Sequence, residues 1–241
     1  MVAKKKAPPA KPAKKTFDEA VEVEETGIVV AGDDSASVST MTSYSAVPQL
    51  DASDLYIPKL RIGQGLSAEV ANGDAKLGDW LLTGQSPMKT CTVVPLLMTR
   101  RRELRDRDER GVICRSADSV HGVGAPGGDC STCPMNQWTP NKKTGKNQAP
   151  PCIFIYSYMV YVVEANELAV LEFYRTSMAA GKLLNTIILQ KGLGNFAIKL
   201  GSTKTEGPKG TFASPSLVIA KVEPKVLSAA KTRVSEMGFG G

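Results

Sequence analysis

The sequence has one histidine, His121, in 241 residues, and no G-x-x-x-x-G-K-[ST], H-E-x-x-H or G-x-S-x-G stretch. Those gaps remove the phosphate-loop, zinc-protease and serine-hydrolase classes. A zinc-dependent deaminase would need an H-x-E element and a Pro before its C-x-x-C, and neither is present. The reading is therefore non-enzymatic. No apolar run reaches the 18 or more residues a membrane helix requires, and no charged-then-apolar signal opens the chain. A cytoplasmic, reducing compartment is expected, with no membrane association; disulfides are disfavoured there. Aromatics make up only 6% of residues, so where they cluster matters more than how many there are.

Four of the five cysteines fall between Cys114 and Cys152 in the pattern C-x15-C-x2-C-x18-C. Cys130 and Cys133 sit close enough for one turn to bring both thiolates to a single ion, and Cys114 and Cys152 complete a tetrahedron, so the expected cofactor is Zn2+. The stretches between them are rich in loop-formers such as Gly, Pro, Asn and Asp, which bury little. Ordering such a loop opposes folding by roughly 1–2 kcal/mol per residue, and a bound ion would offset that. A disulfide pair or unlinked buried thiols are the alternatives, and His121 is an alternative ligand to one cysteine. Gly122-Val123-Gly124-Ala125-Pro126-Gly127 matches G-x-G-x-x-G but carries a Pro inside and a cysteine turn after it, which rules out a dinucleotide loop.

Charge divides the chain. Residues 1–55 hold six Lys against nine Asp and Glu, leaving 24 basic against 15 acidic residues in the remainder, a net of +9. Residues 1–53, Lys-rich then acidic then Ser/Thr-rich, have the composition of a disordered tail, and 54–241 that of one folded domain. Leu55 to Ile62, with Pro58 inside, reads as an extended edge segment. Cys91 to Thr99 reads as a strand with Pro95 at an edge or bulge, and leads into Arg100, Arg101 and Arg102 within the mixed-sign run that ends at Arg110. That run is either a solvated face or, through the uninterrupted Arg triplet, a phosphate contact.

Cys152 to Val163 gives the strongest β pattern. Period-two spacing puts Phe154, Tyr156 and Tyr158 on one face and Ile153, Ile155, Met159 and Tyr161 on the other, one face core and the other an aromatic platform. A second strand covers Leu168 to Thr176. Ser177 caps a helix from Met178 to Lys191 with Leu183, Leu184, Ile187 and Ile188 as its stripe and Gly192 or Gly194 at its end. Asn195–Thr205 and Gly210–Val222 form a hairpin, and Pro224–Met237 a final helix.

Strand, long insert, strand, strand, helix, strand, strand is the order of a five-stranded OB-like barrel. The expected fold is mainly β with minor α, an OB-like barrel with a zinc-binding insert at 114–152 and a disordered N-terminal tail. In such barrels single strands lie on the faces of the second and third strands and on the loops beside them, where stacking rings and cations meet. The candidates are Arg100, Arg101, Arg102, Trp138, Lys142, Lys143, Phe154, Tyr156, Tyr158, Arg175, Lys199 and Lys204. With this element order, the Cys-rich insert and basic flanks, residues 55–222 resemble the single-stranded DNA-binding proteins of tailed phages. Ile57-Pro58-Lys59-Leu60 to Gly78-Asp79 also looks like the opening of related phage replication-region proteins. The resemblance implies zinc at the four cysteines, single-stranded DNA along the aromatic and basic strands, replication or recombination proteins as partners, host-cell cytoplasm as location and no catalysis. A zinc-stabilised adaptor mediating protein contacts is the other function class these features fit.

Overall fold

Apolar, β-branched and aromatic residues concentrated in Cys91–Arg105 and Ile153–Val162 yield two long strands around which the rest is arranged. The computed structural model describes residues 56–106, 111–141, 145, 147–207 and 210–237; residues 1–53, read above as a tail, lie outside these. In chain order the elements are β1 (Lys59–Ile62), α1 (Ala68–Ala71), β2 (Trp80–Leu82), β3 (Cys91–Arg105), β4 (Val112–Ser116), β5 (His121–Gly124) and β6 (Gly128–Asp129). The two-residue pair β7 (Thr139–Pro140) and β8 (Asn147–Gln148) follows. Then come β9 (Ile153–Val162), β10 (Glu167–Tyr174), α2 (Met178–Lys191), β11 (Ala197–Gly207), β12 (Gly210–Ala220) and α3 (Pro224–Glu236). The fold is mainly β with few helices, as the sequence predicts.

One sheet runs β2-β1-β10-β9-β3-β4-β5-β6, with β11 branching from β3 and β12 from β11. The branch follows from the length of β3. Its start pairs with β11 at Cys91–Val93 and its end with β4 at Arg102–Arg105, while β9 occupies the other edge. Pro95, which has no N–H to give the ladder, sits where the β3–β9 register slips, so the bulge reading of that proline holds. The Arg run is an extension of β3 as far as Arg105.

β9 is buried on both faces. Tyr158, Val160 and Val162 join Trp80, Val93, Leu171, Phe173 and Ile198 beneath Leu184 and Ile187 of α2. On the reverse, Tyr161 packs with Val94, Leu96 and Leu168 against Ala230 and Val234 of α3. Each large apolar side chain so buried contributes about 1.5–3 kcal/mol. Seating of α2 depends on Gly181, where a Cβ would stand 2.7 Å from Tyr156 Cδ2 and 3.0 Å from Phe173 Cβ. The buried stripe of α2 is Ala180, Gly181, Leu184 and Ile187, while Leu183 faces outward. Ser177 does not cap the helix through its side chain; its hydroxyl accepts from Tyr174 N at 2.9 Å and donates to Tyr174 O. Gly192 does end α2, at φ 77°.

The barrel expectation needs correction. The pairings β3–β9, β9–β10, β3–β11 and β11–β12 are present, but among the described residues β10 does not pair with β12 and no closed barrel forms. The edge of β10 is taken by β1, in parallel. The segment expected at a sheet edge is thus internal, and β2 is the edge. Across the open seam, the Gln64 side chain donates to Ala213 O at 2.8 Å and accepts from Ala213 N at 3.1 Å, so a side-chain amide clasps β12 where a strand ladder would have run.

Candidate metal centre and nucleic-acid interface

The cysteine insert is built from β-strands too short to bury a core of their own, and it folds back on the end of β3. Cys114 lies on β4 opposite Gly124, Cys130 follows β6, Cys133 opens the turn Pro134–Asn136, and Cys152 precedes β9. All four line one small cavity of about 10 Å³, room for one ion or water. Glycine permits this approach: a Cβ on Gly122 would meet Cys114 Sγ at 3.1 Å, and one on Gly124, at φ 112°, would stand 2.2 Å from Ile113 O. Main-chain bonds fix the corners. Cys130 N donates to Val120 O at 2.8 Å, Cys152 N to Met135 O at 3.0 Å, and Asn136 Nδ2 to Cys130 O at 2.8 Å.

Burial pushes the Cys152 thiol up; the Arg102 guanidinium opposes that, and the other three cysteines add to it. All five cysteines are unpaired. Among the described residues no three His, Cys, Asp or Glu side chains stand in a ready-made metal arrangement, so the thiols share a cavity without a closed coordination shell. The donor set and the size of the space fit a tetrahedral thiolate ion such as Zn2+. His121 does not line the cavity. Its Nδ1 lies 2.8 Å from Asp118 Oδ2, and that hydrogen bond, with the carboxylate's charge, raises the imidazole above its ordinary range. Cys91 is fully buried on β3, its thiol pushed up to about 12 by burial and then by Glu164.

The Arg triplet divides into three different roles. Arg101 bonds Glu103 and Glu172, and Arg105 also bonds Glu103, which is 3% exposed. Burial would raise that carboxyl, but hydrogen bonds and charge from Arg105 and Arg101 outweigh it and hold Glu103 below its usual range. Arg102 lies 4.9 Å over the Phe154 ring, donates from Nε to Ser119 O at 3.3 Å, and bonds Asn136 Oδ1. It therefore ties the cysteine loop to the sheet. Only Arg100 is exposed and free of a partner among the described residues. As phosphate ligands, Arg101 and Arg102 are corrected: both are already engaged within the protein.

The aromatic ladder is likewise divided. Tyr158 is 0% exposed, its hydroxyl 2.6 Å from Asn185 Oδ1 and 3.1 Å from Gly181 O, and burial raises its pKa. It is a core residue and cannot stack on a base. Tyr156 and Phe154 are half-buried and meet edge-on at 5.0 Å. Register places Arg100 opposite Tyr156 and Arg102 opposite Phe154, so cation and ring alternate on one face. Trp138, 64% exposed, stands on the cysteine loop; Arg175, Lys199 and Lys204 are exposed. Lys142 and Lys143 lie outside the described residues.

A feature absent from the sequence reading is a cleft of about 520 Å³ at the open seam, bounded by β1, β10 and β12. Lys59, Arg61, Arg105, Arg175, Tyr174 and Trp80 are in its wall. The adjacent Tyr174-Arg175 pair at the end of a strand was the available signal, but nothing local placed it beside β1. Comparisons with known protein families, curated proteins and solved structures gave no match.

Proposed function

We propose that this chain is a non-catalytic single-stranded DNA-binding protein acting in replication or recombination, built on an OB-like plan whose cysteine insert is stapled by Zn2+ at Cys114, Cys130, Cys133 and Cys152. The observation that carries the reading is the face on which Arg100 lies opposite Tyr156 and Arg102 opposite Phe154. Unpaired bases stack on such rings at about 1–3 kcal/mol each, and the exposed Arg100 beside them neutralises phosphate. Support comes from the strand pairings, which follow the OB order apart from closure, with α2 between β10 and β11. The +9 balance outside residues 1–55 adds attraction for a polyanion. When bound, zinc would supply a cross-link for a loop with almost no core; it carries no chemistry on the nucleic acid. Arg102 then connects that loop to the binding face.

The second reading rests on a specific observation: Val123 (78% exposed), Val120 (51%) and Trp138 (64%) leave apolar surface on the cysteine loop. Such a surface suits a protein partner. Titration of labelled oligo-dT and of duplex, each at two salt concentrations, separates the two. Single strands should bind much more tightly than duplex, and Arg100→Ala or Lys204→Ala should reduce the salt slope by about 0.7. Equal binding of single strand and duplex, or none of either, would favour the adaptor.

A further inference from the structure

The seam between β10 and β12 is open because β1 takes the edge of β10, and the gap is a cleft rather than a packed joint. Residues from both faces of β10 reach it: Glu172 and Tyr174 from one, Leu171 and Phe173 from the other. Its charge is positive on balance. Lys59, Arg61, Arg105 and Arg175 face Glu103 and Glu172, and those two carboxylates are already held by Arg101, Arg105 and Lys59. Arg175 is exposed and has no partner among the described residues.

Two further features mark this place. Arg175 has φ 50°, in the left-handed region that favours Gly or Asn, so the backbone is strained at the one cleft cation that is free. Trp80, 1% exposed in the cleft wall, has an indole N–H with no hydrogen-bond partner. Buried donors are nearly always paired, and one without a partner beside a cleft suits a ligand that brings an acceptor. Next to Arg175, Tyr174 is 44% exposed and offers a ring.

We infer that this cleft seats a single nucleotide unit, an unpaired base with its phosphate, with Tyr174 against the base and Arg175 on the phosphate. The inference rests on the nucleic-acid reading above and adds a subsite distinct from the Arg100–Tyr156 face. A strand and a free nucleotide present the same chemistry to it, and the arms of the test distinguish them.

The chain has two tryptophans, so Trp138→Phe, which keeps a ring in the loop, leaves Trp80 as the sole indole reporter. Full-length protein with this change is titrated with a dT 12-mer and with dTMP while Trp80 emission and anisotropy of labelled 12-mer are followed. The 12-mer should change Trp80 emission saturably, and dTMP should do so at far higher concentration. Tyr174→Ala should weaken the 12-mer by about 5- to 150-fold. Arg175→Gly relieves the strained φ, so its Tm should stay level or rise while binding falls; an arginine with only a structural role would lower Tm on removal. If the 12-mer binds without altering Trp80 and both variants bind like the parent, the subsite is overturned while the broader reading stands. A response to dTMP alone would keep the subsite and remove the single-strand reading. No response to either ligand would remove both.

Discussion

Glu103 determines what the neighbouring arginines are free to do. Its side chain is 4% exposed, with Arg101 and Arg105 two residues to either side on the same strand face. A buried carboxylate without partners would be prohibitive, and removing one partner of such a cluster leaves uncompensated charge. Because the folded state holds Glu103 below its ordinary 4.5, the unfolded chain binds the proton more readily. The resulting stability is therefore present above about pH 4.5 and is lost as pH falls through the lower folded value. Glu103→Gln should flatten that acid limb in urea melts taken from pH 6 to 3, and at pH 7 should destabilise by about 2–4 kcal/mol. Unchanged acid sensitivity would show that the cluster contributes nothing. The sequence displayed these charges as a nearly neutral run; only the extension of β3 to Arg105 reveals that period two pairs Arg101, Glu103 and Arg105. Tyr158 teaches the same lesson. Its face was legible from alternation, but whether that face meets solvent or α2 changes along the strand, and that depends on a helix 20 residues away.

At the scale of elements, the cysteine spacing anticipated that Cys114, Cys130, Cys133 and Cys152 meet at one cavity. What spacing did not disclose is the anchor. Arg102 reaches Asn136 across 34 residues, and no local pattern announces that contact. The loop has few apolar residues turned inward, and Val112, Ile113, Val120 and Val123 are exposed, so the proposed zinc would be its principal source of order. Protein purified without a tag should carry one zinc per chain by elemental analysis. Cys130→Ser or Cys133→Ser should abolish that and leave the 114–152 region sensitive to protease, whereas Cys91→Ser should retain the metal because Cys91 lies in the β3 core. Metal-free protein whose loop resists protease equally well would refute the staple.

Across the whole molecule, the sequence order anticipated which strands pair but not how the sheet ends. Adjacent strands joined by short turns, such as β9–β10 and β11–β12, are dictated locally. Closure instead depends on competition for one edge between β12 and a strand more than 100 residues earlier, and single-sequence patterns carry no information about that contest. β1 wins it with parallel pairing at Lys59–Val170 and Leu60–Leu171, and β12 is left to Gln64. Both amide atoms of Gln64 engage Ala213, so truncation would strand a main-chain N–H and a C=O together. Gln64→Ala should cost about 1–3 kcal/mol, and its signature should be local. Hydrogen exchange at Ala213 should accelerate markedly, while amides in the β3–β9 ladder keep their protection relative to global unfolding. If the seam is instead held by the packing of β12 on β11 and α2, Ala213 will exchange at the parental rate and the amide clasp is incidental.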